Sequence, residues 1–373
     1  MAATECAPNA VVNPAAYSGP ICLLTHTSSR QVARHLLWVV LPLLFSVATD
    51  SYDAALREIR EEFGPKVRLE RVSGDLGRIV ENGPSIEELA DACDRGRIMF
   101  VRHLTVEIAS FPVDEVPPAH ELAKLVLAEL PRHPKVLAVQ TWTDGAGTGG
   151  SYYHLLEEAL GARGIELARA GQDLVVSCFV SRKAVVLGVN RLEHSLSDWP
   201  GGRMRLARSD DRVSRSEFKL EEAIQTFGLR LPEGGKALDL GASPGGWTRI
   251  LRQYGQEVWS VDPGELDRRV TADRRVHHVG TTAGEFFRRN QIRFDVVVND
   301  MRMDQVLSAR VMLDAVPHLR RGALAIVTLK GGGRNPLDSA RRGMDVLRKE
   351  YDVLHARQLH HNRKELTVIA KAR

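Results

Sequence analysis

The chain has 373 residues, of which 43% are hydrophobic and 26% charged, a composition typical of about two or three globular domains with packed cores. The formal net charge of +4 excludes a uniformly basic surface, so any surface that binds nucleic acid must be local. The cysteines form no C-x-x-C pair and no histidines cluster at ligand spacing. This pattern argues against a metal site or a disulfide framework and favours a reducing, cytoplasmic compartment.

Residues 1–43 form a lead whose structure is uncertain. The first 30 residues are rich in Ala, Pro, Asn, Ser and Thr, which predicts disorder. Leu36 to Ala48 is the most apolar run in the chain, so a signal peptide or a membrane helix is an alternative. The run is short, is interrupted by proline and lacks a clean A-x-A site. We expect instead a buried strand near Leu43 to Thr49.

Residues 44–190 are predicted to form an α+β region. Apolar spacing and helix-start signals predict four helices, at Tyr52–Phe63, Pro84–Arg95, Glu121–Leu130 and Tyr152–Ala162. Alternation predicts six strands, at Val67–Val72, Gly77–Val80, His103–Ala109, Lys135–Thr141, Leu174–Val180 and Ala184–Val189. The later order, helix-strand-helix-strand-strand, is similar to part of a THUMP domain, an RNA-binding module that precedes several RNA-modifying enzymes. A generic α+β domain would give the same order.

Residues 191–213 are predicted to be a linker. The segment contains Pro200, Gly201 and Gly202 together with several arginines. From Arg191 to Lys219 there are seven cations against five acids, so the positive excess is small. A solvated connector between two domains is the simplest interpretation.

A glycine-rich loop follows at Lys236 to Trp247, with the sequence K-A-L-D-L-G-A-S-P-G-G-W. A short apolar run ends at Gly241, and a helical pattern begins at Trp247. The sequence therefore predicts a strand, a tight turn and the start of a helix. Glycines at such a turn let the backbone approach a ligand closely, beside the free N–H groups of the helix.

The next strand, Val258 to Val261, ends in Asp262, about 20 residues after the loop, where a ribose would offer two hydroxyls. The loop order G-A-S-P-G-G differs from the dinucleotide pattern G-x-G-x-x-G, which favours S-adenosylmethionine over NAD. A glycine-rich turn without any ligand is the alternative.

The motif L-D-L-G-A-x-P-G-G-W resembles the cofactor loop of the FtsJ-like 2′-O-ribose RNA methyltransferases, and the resemblance covers residues 214–373. It implies a Rossmann-like, S-adenosylmethionine-dependent domain preceded by the α+β THUMP-like half. The implied cofactor-binding residues are Ser216, Asp239, Gly241, Ala242, Ser243, Pro244, Gly245, Gly246, Trp247, Asp262, Thr282 and Asp300. Thr282 departs from the family, which has an acid there, and this puts cofactor affinity in doubt.

Charged residues are predicted at the ends of three further strands. Asp300 follows Phe294–Val298, Lys330 follows Leu324–Leu329, and Glu365 lies between two closing strands. Ligands of open α/β sheets bind at the carboxyl ends of strands, so these residues are expected to share a site. Methyl transfer to a ribose hydroxyl needs removal of a proton, and a lysine can accept it if burial and a neighbouring cation lower its pKa.

The resemblance implies the same group of residues, because FtsJ-like enzymes use a Lys-Asp-Lys-Glu tetrad. Lys219, Asp300, Lys330 and Glu365 match its motifs one by one. We predict that Lys330 accepts the proton, that Lys219 and Glu365 position it and the substrate, and that Asp300 contacts both cofactor and base. Separately, each would be interpreted as a solvated surface charge.

The motifs W-P-x-G at Trp199, S-R-S at Ser214 and K-L-E-E-A at Lys219 resemble the ribosomal RNA large subunit methyltransferase M group, which methylates a cytidine ribose in large-subunit ribosomal RNA. RNA is therefore the expected partner of a monomer or weak homo-oligomer. From Arg341 to Arg373 nine cations face four acids, which predicts phosphate contacts, with a solvated surface as the alternative. An RNA-binding protein with a vestigial methyltransferase domain, or methylation of another RNA such as tRNA, stays open.

Overall fold

The computed structural model describes residues 41–130, 134–144, 149–207, 211–331 and 335–373. Most of the predicted lead, residues 1–40, lies outside the described residues. Among the helices in the described ranges, none is both long and apolar enough to cross a membrane.

The first half of the chain is built on an eight-stranded sheet with the order β2-β3-β1-β4-β8-β7-β5-β6. Its strands are β1 (Leu43–Ser46), β2 (Arg68–Arg71), β3 (Leu76–Glu81), β4 (His103–Pro112), β5 (Val136–Thr143), β6 (Glu166–Ala168), β7 (Leu174–Val180) and β8 (Ala184–Arg191). Its helices are α1 (Tyr52–Phe63), α2 (Ile86–Asp94), α3 (Ala119–Glu129) and α4 (Gly149–Gly161). Strand β5 is parallel to β6 and β7, and the other pairs are antiparallel.

Most predicted elements of this half are confirmed within one to three residues at each end. Helix α1 has the predicted bounds because its apolar spacing is regular and Gly64, with φ +102°, ends it. The buried strand predicted near Leu43 is β1. The three-residue strand β6 was not predicted, because so short an edge strand shows no alternation. The THUMP-like assignment of residues 44–190 stays a prediction.

The predicted linker is packed against the first sheet where the structure describes it, rather than solvated. The Ser46 hydroxyl donates to the carbonyl oxygen of Gly201 at 2.8 Å. The Arg203 guanidinium donates to the Thr143 carbonyl oxygen at 2.8 Å and pairs with Asp75. An arginine that composition assigns to solvent therefore joins the connector to the sheet.

We expect Gly202→Ala to lower the free energy of unfolding by about 1–3 kcal/mol. Gly202 has φ +68°, and an added Cβ would lie 2.6 Å from the Arg102 carbonyl oxygen. Gly161→Ala in α4 is the matched control, because its added Cβ meets open space. That change should stabilise by about 0.5–1 kcal/mol. Urea unfolding measures both, and equal effects would contradict the prediction.

The second half is built on a seven-stranded sheet with the order β11-β10-β9-β12-β13-β15-β14. Its strands are β9 (Lys236–Leu240), β10 (Glu257–Val261), β11 (Val276–Val279), β12 (Phe294–Asn299), β13 (Leu319–Lys330), β14 (Tyr351–Arg357) and β15 (Glu365–Ala372). Its helices are α5 (Glu217–Thr226), α6 (Gly246–Gln253), α7 (Arg268–Thr271), α8 (Ala283–Arg289), α9 (Gln305–Ala315) and α10 (Pro336–Leu347). Strand β15 runs antiparallel to both β13 and β14, and the other strand pairs are parallel.

The strand order of this sheet reverses between β9 and β12. A crevice forms at such a switch point, outside the carboxyl ends of the strands, and it is where α/β sheets bind ligands. Asp239, near the end of β9, and Asp300, just after β12, are therefore brought together. The predicted Rossmann-like fold is confirmed.

The two halves share one apolar core. Its buried residues include Ile59 and Cys93 from the first half and Ala340 and Ala356 from the second. The Gln358 N–H also donates to the Met99 carbonyl oxygen at 2.7 Å. The halves are consequently joined close to the strands that carry the predicted site.

Candidate active site

The glycine-rich loop has the geometry of a tight ligand-binding turn. Gly241 has φ +74°, and a Cβ there would lie 2.3 Å from the Met301 Cγ, so a larger residue would be strained and would have to displace the Met301 side chain. Gly245 has φ +107° and leads into α6. The loop thereby passes directly beside the segment that follows β12.

The motif around Ser214 packs onto the start of α6. A Cβ on Gly246 would lie 2.2 Å from the Ser214 Oγ, so a larger residue would have to displace the Ser214 hydroxyl. The Trp247 indole donates to the Ser216 carbonyl oxygen at 2.8 Å, and the Ser214 and Ser216 hydroxyls are 2.6 Å apart. Ser216 is thus held at the mouth of the loop, and its predicted contact with the cofactor stays a prediction.

Asp239 is a buried carboxyl with an unused oxygen. Its side chain accepts from the Thr248 hydroxyl at 2.6 Å through Oδ2, whereas Oδ1 has no hydrogen-bond partner among the described residues. Burial raises the pKa of Asp239 to about 7. A buried acceptor without a partner is costly, so this oxygen suits a positively charged ligand group.

Asp262 lies at the end of β10, on the other side of the loop. Its Oδ1 accepts from the Gly264 N–H at 2.7 Å and its Oδ2 from the Ser243 N–H at 3.2 Å. These backbone donors fix the carboxylate while each oxygen retains capacity for a further donor. A pair of ribose hydroxyls is the kind of ligand group that such a carboxylate binds.

The loop, both aspartates and the predicted tetrad line one cleft of about 580 Å³. The lining residues are Ser214, Arg215, Ser216, Lys219, Asp239, Gly241, Ala242, Ser243, Pro244, Trp247, Asp262, Asp300, Met301, Arg302, Lys330, His361, Asn362, Arg363 and Glu365. S-adenosylmethionine fits the two carboxylate acceptors, because its ammonium would meet Asp239 and its ribose hydroxyls would meet Asp262. Of the predicted cofactor residues, Gly245, Gly246 and Thr282 do not line the cleft.

Thr282 has a local structural role. It is exposed and its hydroxyl accepts from the Glu285 N–H at 3.3 Å, which caps α8. The departure from the family at this position therefore supplies a helix cap, and a role for Thr282 in cofactor binding stays a prediction.

The four tetrad side chains meet at the end of the sheet. Antiparallel pairing of β13 with β15 sets Lys330 opposite Glu365, and the Lys330 Nζ lies 3.3 Å from the Glu365 Oε2. Lys330 also contacts the Asp300 carboxylate. From α5, the Lys219 Nζ lies 3.1 Å from the Asp300 Oδ1 and 2.6 Å from the Glu365 Oε2. Two carboxylates thus bridge two ammonium groups.

The environment shifts the pKa values of Lys330 and Lys219 in opposite directions. Burial lowers the pKa of Lys330 below its ordinary value, the nearby Lys219 lowers it further, and Asp300 and Glu365 only partly oppose them. Burial also acts on Lys219, but Asp300 and Glu365 together raise its pKa above the ordinary value. Lys330 is therefore the lysine that loses its proton more easily, as a base requires.

Thr328 belongs to this cluster and was missed by sequence reasoning. Its hydroxyl donates to the Asp300 Oδ1 at 2.6 Å and lies 2.7 Å from the Lys330 Nζ. Residues two apart on a strand share a face, so the pattern T-L-K contained the signal. Thr328 holds the carboxylate and the amine in a common geometry.

We expect Thr328→Val to lower kcat for methyl transfer about tenfold, because the nearly isosteric change removes a hydrogen bond to a charged group. Cofactor affinity should stay unchanged. Thr271→Val is a control, since Thr271 is exposed and its hydroxyl donates to the Arg268 carbonyl oxygen at 3.3 Å, outside the residues that line the cleft. Steady-state kinetics distinguishes the two, and an unchanged kcat in Thr328→Val would contradict the role.

Two buried glutamates on α5 also escaped sequence reasoning. Glu217 accepts from the Ser214 N–H at 3.2 Å and from Arg249 at 2.8 Å. Glu222 accepts from the His360 and His361 N–H groups at 2.8 Å each. Glutamates on an amphipathic helix suggest a solvated face, so the sequence carries no signal for these contacts.

The C-terminal cations do not form one continuous phosphate-binding face. Arg357 is buried and donates to the Leu196 carbonyl oxygen at 2.8 Å, and Arg341 pairs with Glu61 at 2.5 Å. Arg363, in contrast, is exposed and lines the cleft. Together with Arg215 and Arg302 it forms a set of exposed arginine side chains without an ion pair to any described residue. The cleft therefore carries positive charge that could meet a phosphate.

The switch-point cleft and its lysine-rich cluster define a Rossmann-like methyltransferase domain, and the family model described as FtsJ-like methyltransferase matches residues 212–332. Relatives named ribosomal RNA large subunit methyltransferase M are 37% identical over 179 residues in Halorhodospira halophila and 32% over 240 in Xanthomonas euvesicatoria. The matches cover 46% and 60% of this chain, and 51% and 67% of those relatives. The chain belongs to this family of S-adenosylmethionine-dependent methyltransferases.

The chain spans about half the length of the Halorhodospira relative and 66% of a relative with the same name in Alkalilimnicola ehrlichii, which is 33% identical over 246 residues, 62% of this chain. Among solved structures, TrmN from Thermus thermophilus aligns with 89% of this chain and 99% of its own at 16% identity. Its TM-score of 0.37 is too low to support a structural conclusion.

Proposed function

We propose that this protein transfers a methyl group from S-adenosylmethionine to the 2′-hydroxyl of a cytidine ribose in large-subunit ribosomal RNA. The observation that carries the proposal is the Lys219–Asp300–Lys330–Glu365 cluster in the same cleft as the cofactor loop. The names of the matched relatives support the RNA substrate.

S-adenosylmethionine, when bound, supplies a methyl group on a positively charged sulfur. Lys330 in its neutral form takes the proton of the ribose hydroxyl as the oxygen–carbon bond forms and the carbon–sulfur bond breaks. Asp300 and Glu365 then stabilise the new ammonium, and Lys219 stays charged to hold both carboxylates. The chain thus supplies a base, its orientation and the electrostatic support.

We infer that residues 44–190 place the RNA and that residues 214–373 carry the chemistry in the cytoplasm. The exposed arginines at the cleft support contact with phosphates next to the reacting ribose. The described domain junction gives both halves a fixed relation to that cleft.

A second candidate is an RNA-binding protein whose methyltransferase domain is vestigial. It is favoured by Thr282, which caps a helix where the family has an acid. Calorimetric titration with S-adenosylmethionine separates the two functions, because a vestigial domain should not bind the cofactor measurably.

The direct test is methyl transfer from labelled S-adenosylmethionine to total RNA from cells that lack this protein, followed by nuclease digestion and nucleoside analysis. Label in 2′-O-methylcytidine of large-subunit RNA is the expected result. Label in another ribose, or in tRNA, would retain the reaction and overturn the substrate. No label with any RNA, free or in assembly intermediates, would contradict the proposed function.

A further inference from the structure

The turn between β14 and β15, residues 358–364, brings Glu365 to the active site under backbone strain. Arg363 has φ +53° and ψ −105°, a conformation that favours glycine. Strained residues persist only where their surroundings hold them. On one side the Gly331 N–H donates to the Lys364 carbonyl oxygen at 2.8 Å.

The opposite side of the turn is held by the first half of the chain. Arg102, in the segment before β4, is buried, and its guanidinium donates to the carbonyl oxygens of Gln358 and Leu359 at 3.0 Å each. No carboxylate lies within ion-pair distance of Arg102 among the described residues. Burying a charge is costly, and the two carbonyl contacts offset this cost together with the longer-range attraction of the Glu222 and Asp50 carboxylates.

The contacts continue from Arg102 to the strained residue. The Gln358 side chain donates through Nε2 to the Arg363 carbonyl oxygen at 2.6 Å. The Leu359 N–H donates to the Asn362 Oδ1 at 2.9 Å, which closes the turn. The two residues that Arg102 holds therefore each contact the far end of the turn, and Glu222 on α5 holds its middle through the His360 and His361 N–H groups.

We propose that Arg102 is a positioning residue of the active site, through which the first half of the chain keeps Glu365 beside Lys219 and Lys330. The consequence for activity rests on the proposed function, whereas the effect on Glu365 follows from the contacts alone. Loss of the two donors should let the strained turn relax and Glu365 withdraw from the lysines.

The amine of Lys330 reports this withdrawal. The charged groups that face it are Asp300, Glu365 and Lys219. Glu365 raises the pKa of Lys330, so a displaced Glu365 should lower that pKa further. A general loss of stability would not produce such a shift in the folded protein.

The test is a lysine-selective NMR titration of the full chain without RNA or cofactor, with the Lys330 signal assigned from Lys330→Arg. We expect Arg102→Met and Glu365→Gln each to lower the pKa of Lys330, and the double variant to lower it no further than Glu365→Gln alone. Arg102→Lys keeps a charged donor, so the pKa of Lys330 in that variant should lie closer to the wild-type value than in Arg102→Met. In transfer assays Arg102→Met should lower kcat roughly tenfold to a hundredfold, with cofactor affinity unchanged.

Arg78→Met is the matched control. Arg78 makes a bidentate pair with Glu107 at 2.6 and 2.7 Å inside the first half, so its loss destabilises that half without a direct effect on the turn. The pKa of Lys330 should stay at the wild-type value. An equal shift in Arg78→Met and Arg102→Met would overturn the proposal.

A folded Arg102→Met variant with a wild-type pKa at Lys330 would also overturn the inference. If Arg102→Met does not fold, the pKa of Lys330 is measured in Arg102→Gln instead. Glutamine is neutral and keeps a single donor group, so the same shift is expected and its absence would overturn the inference. The titration needs no activity, so an inactive wild-type protein would contradict the proposed function alone. An active wild-type protein, combined with an unchanged pKa of Lys330 in the folded Arg102→Met variant, would contradict this inference alone.

Discussion

Replacing Lys330 by alanine is expected to lower kcat for RNA methylation by about 10²- to 10⁴-fold, the range typical of general-base removal. Cofactor affinity should change little, because Asp239 and Asp262 lie on other strands. Lys330→Arg should be as inactive as Lys330→Ala, since arginine keeps the charge but cannot lose its proton. An active arginine variant would contradict the base assignment and indicate an electrostatic role.

The pH dependence of the wild type should carry the signature of the same base. Only the neutral amine accepts a proton, so the rate should fall as the pH falls through the pKa of Lys330, which burial sets below the ordinary lysine value. Lys364→Ala is the control, because Lys364 is exposed and its nearest acid, Asp50, is 3.6 Å away. It should keep both the rate and the pH profile of the wild type.

The second large effect is expected from Asp239→Asn, which should weaken S-adenosylmethionine binding roughly 30- to 100-fold. Loss of a buried charged acceptor opposite a cation costs about 2–3 kcal/mol. The side chain keeps its size, so the Thr248 contact and the loop should persist. Isothermal titration calorimetry measures the affinity, and Asp314→Asn on the exposed side of α9 is the control.

The pH dependence of cofactor affinity follows from the raised pKa of Asp239, about 7 in the free protein. Only the ionised carboxylate attracts the cofactor ammonium, so affinity should rise with pH through about 7 in the wild type. The asparagine variant should lose this dependence. A wild-type affinity that is flat between pH 6 and pH 8 would contradict the contact.

Residue types and short spacings were sufficient for the elements that are formed locally. The strand, glycine turn and helix from Lys236 to Gln253 lie within 18 consecutive positions, and their signals are an apolar run, a left-handed glycine and a helical period. The tetrad was predicted differently, since Lys219 and Glu365 are far apart in sequence. Motif resemblance and strand-end chemistry pointed to it, and the pairing of β13 with β15 supplies the contact.

What periodicity could not predict are the contacts between distant, ordinary-looking residues. Arg102 is 256 positions from Gln358, and Glu222 is 138 positions from His360, so no local pattern distinguishes them from solvated charges. The same holds for the C-terminal arginines, where composition predicted one phosphate face but the fold buries Arg357.

The sequence by itself determined the glycine-rich loop, the order of the proposed catalytic residues and the family of this protein, because each is recorded in neighbouring residues or fixed motifs. Only the tertiary structure decided which lysine has the lowered pKa, which carboxyls are buried without a full set of partners, and which arginine holds the turn before Glu365. The physical reason is that pKa values and buried hydrogen bonds depend on the distance and solvent exposure of groups that the fold brings together from remote parts of the chain.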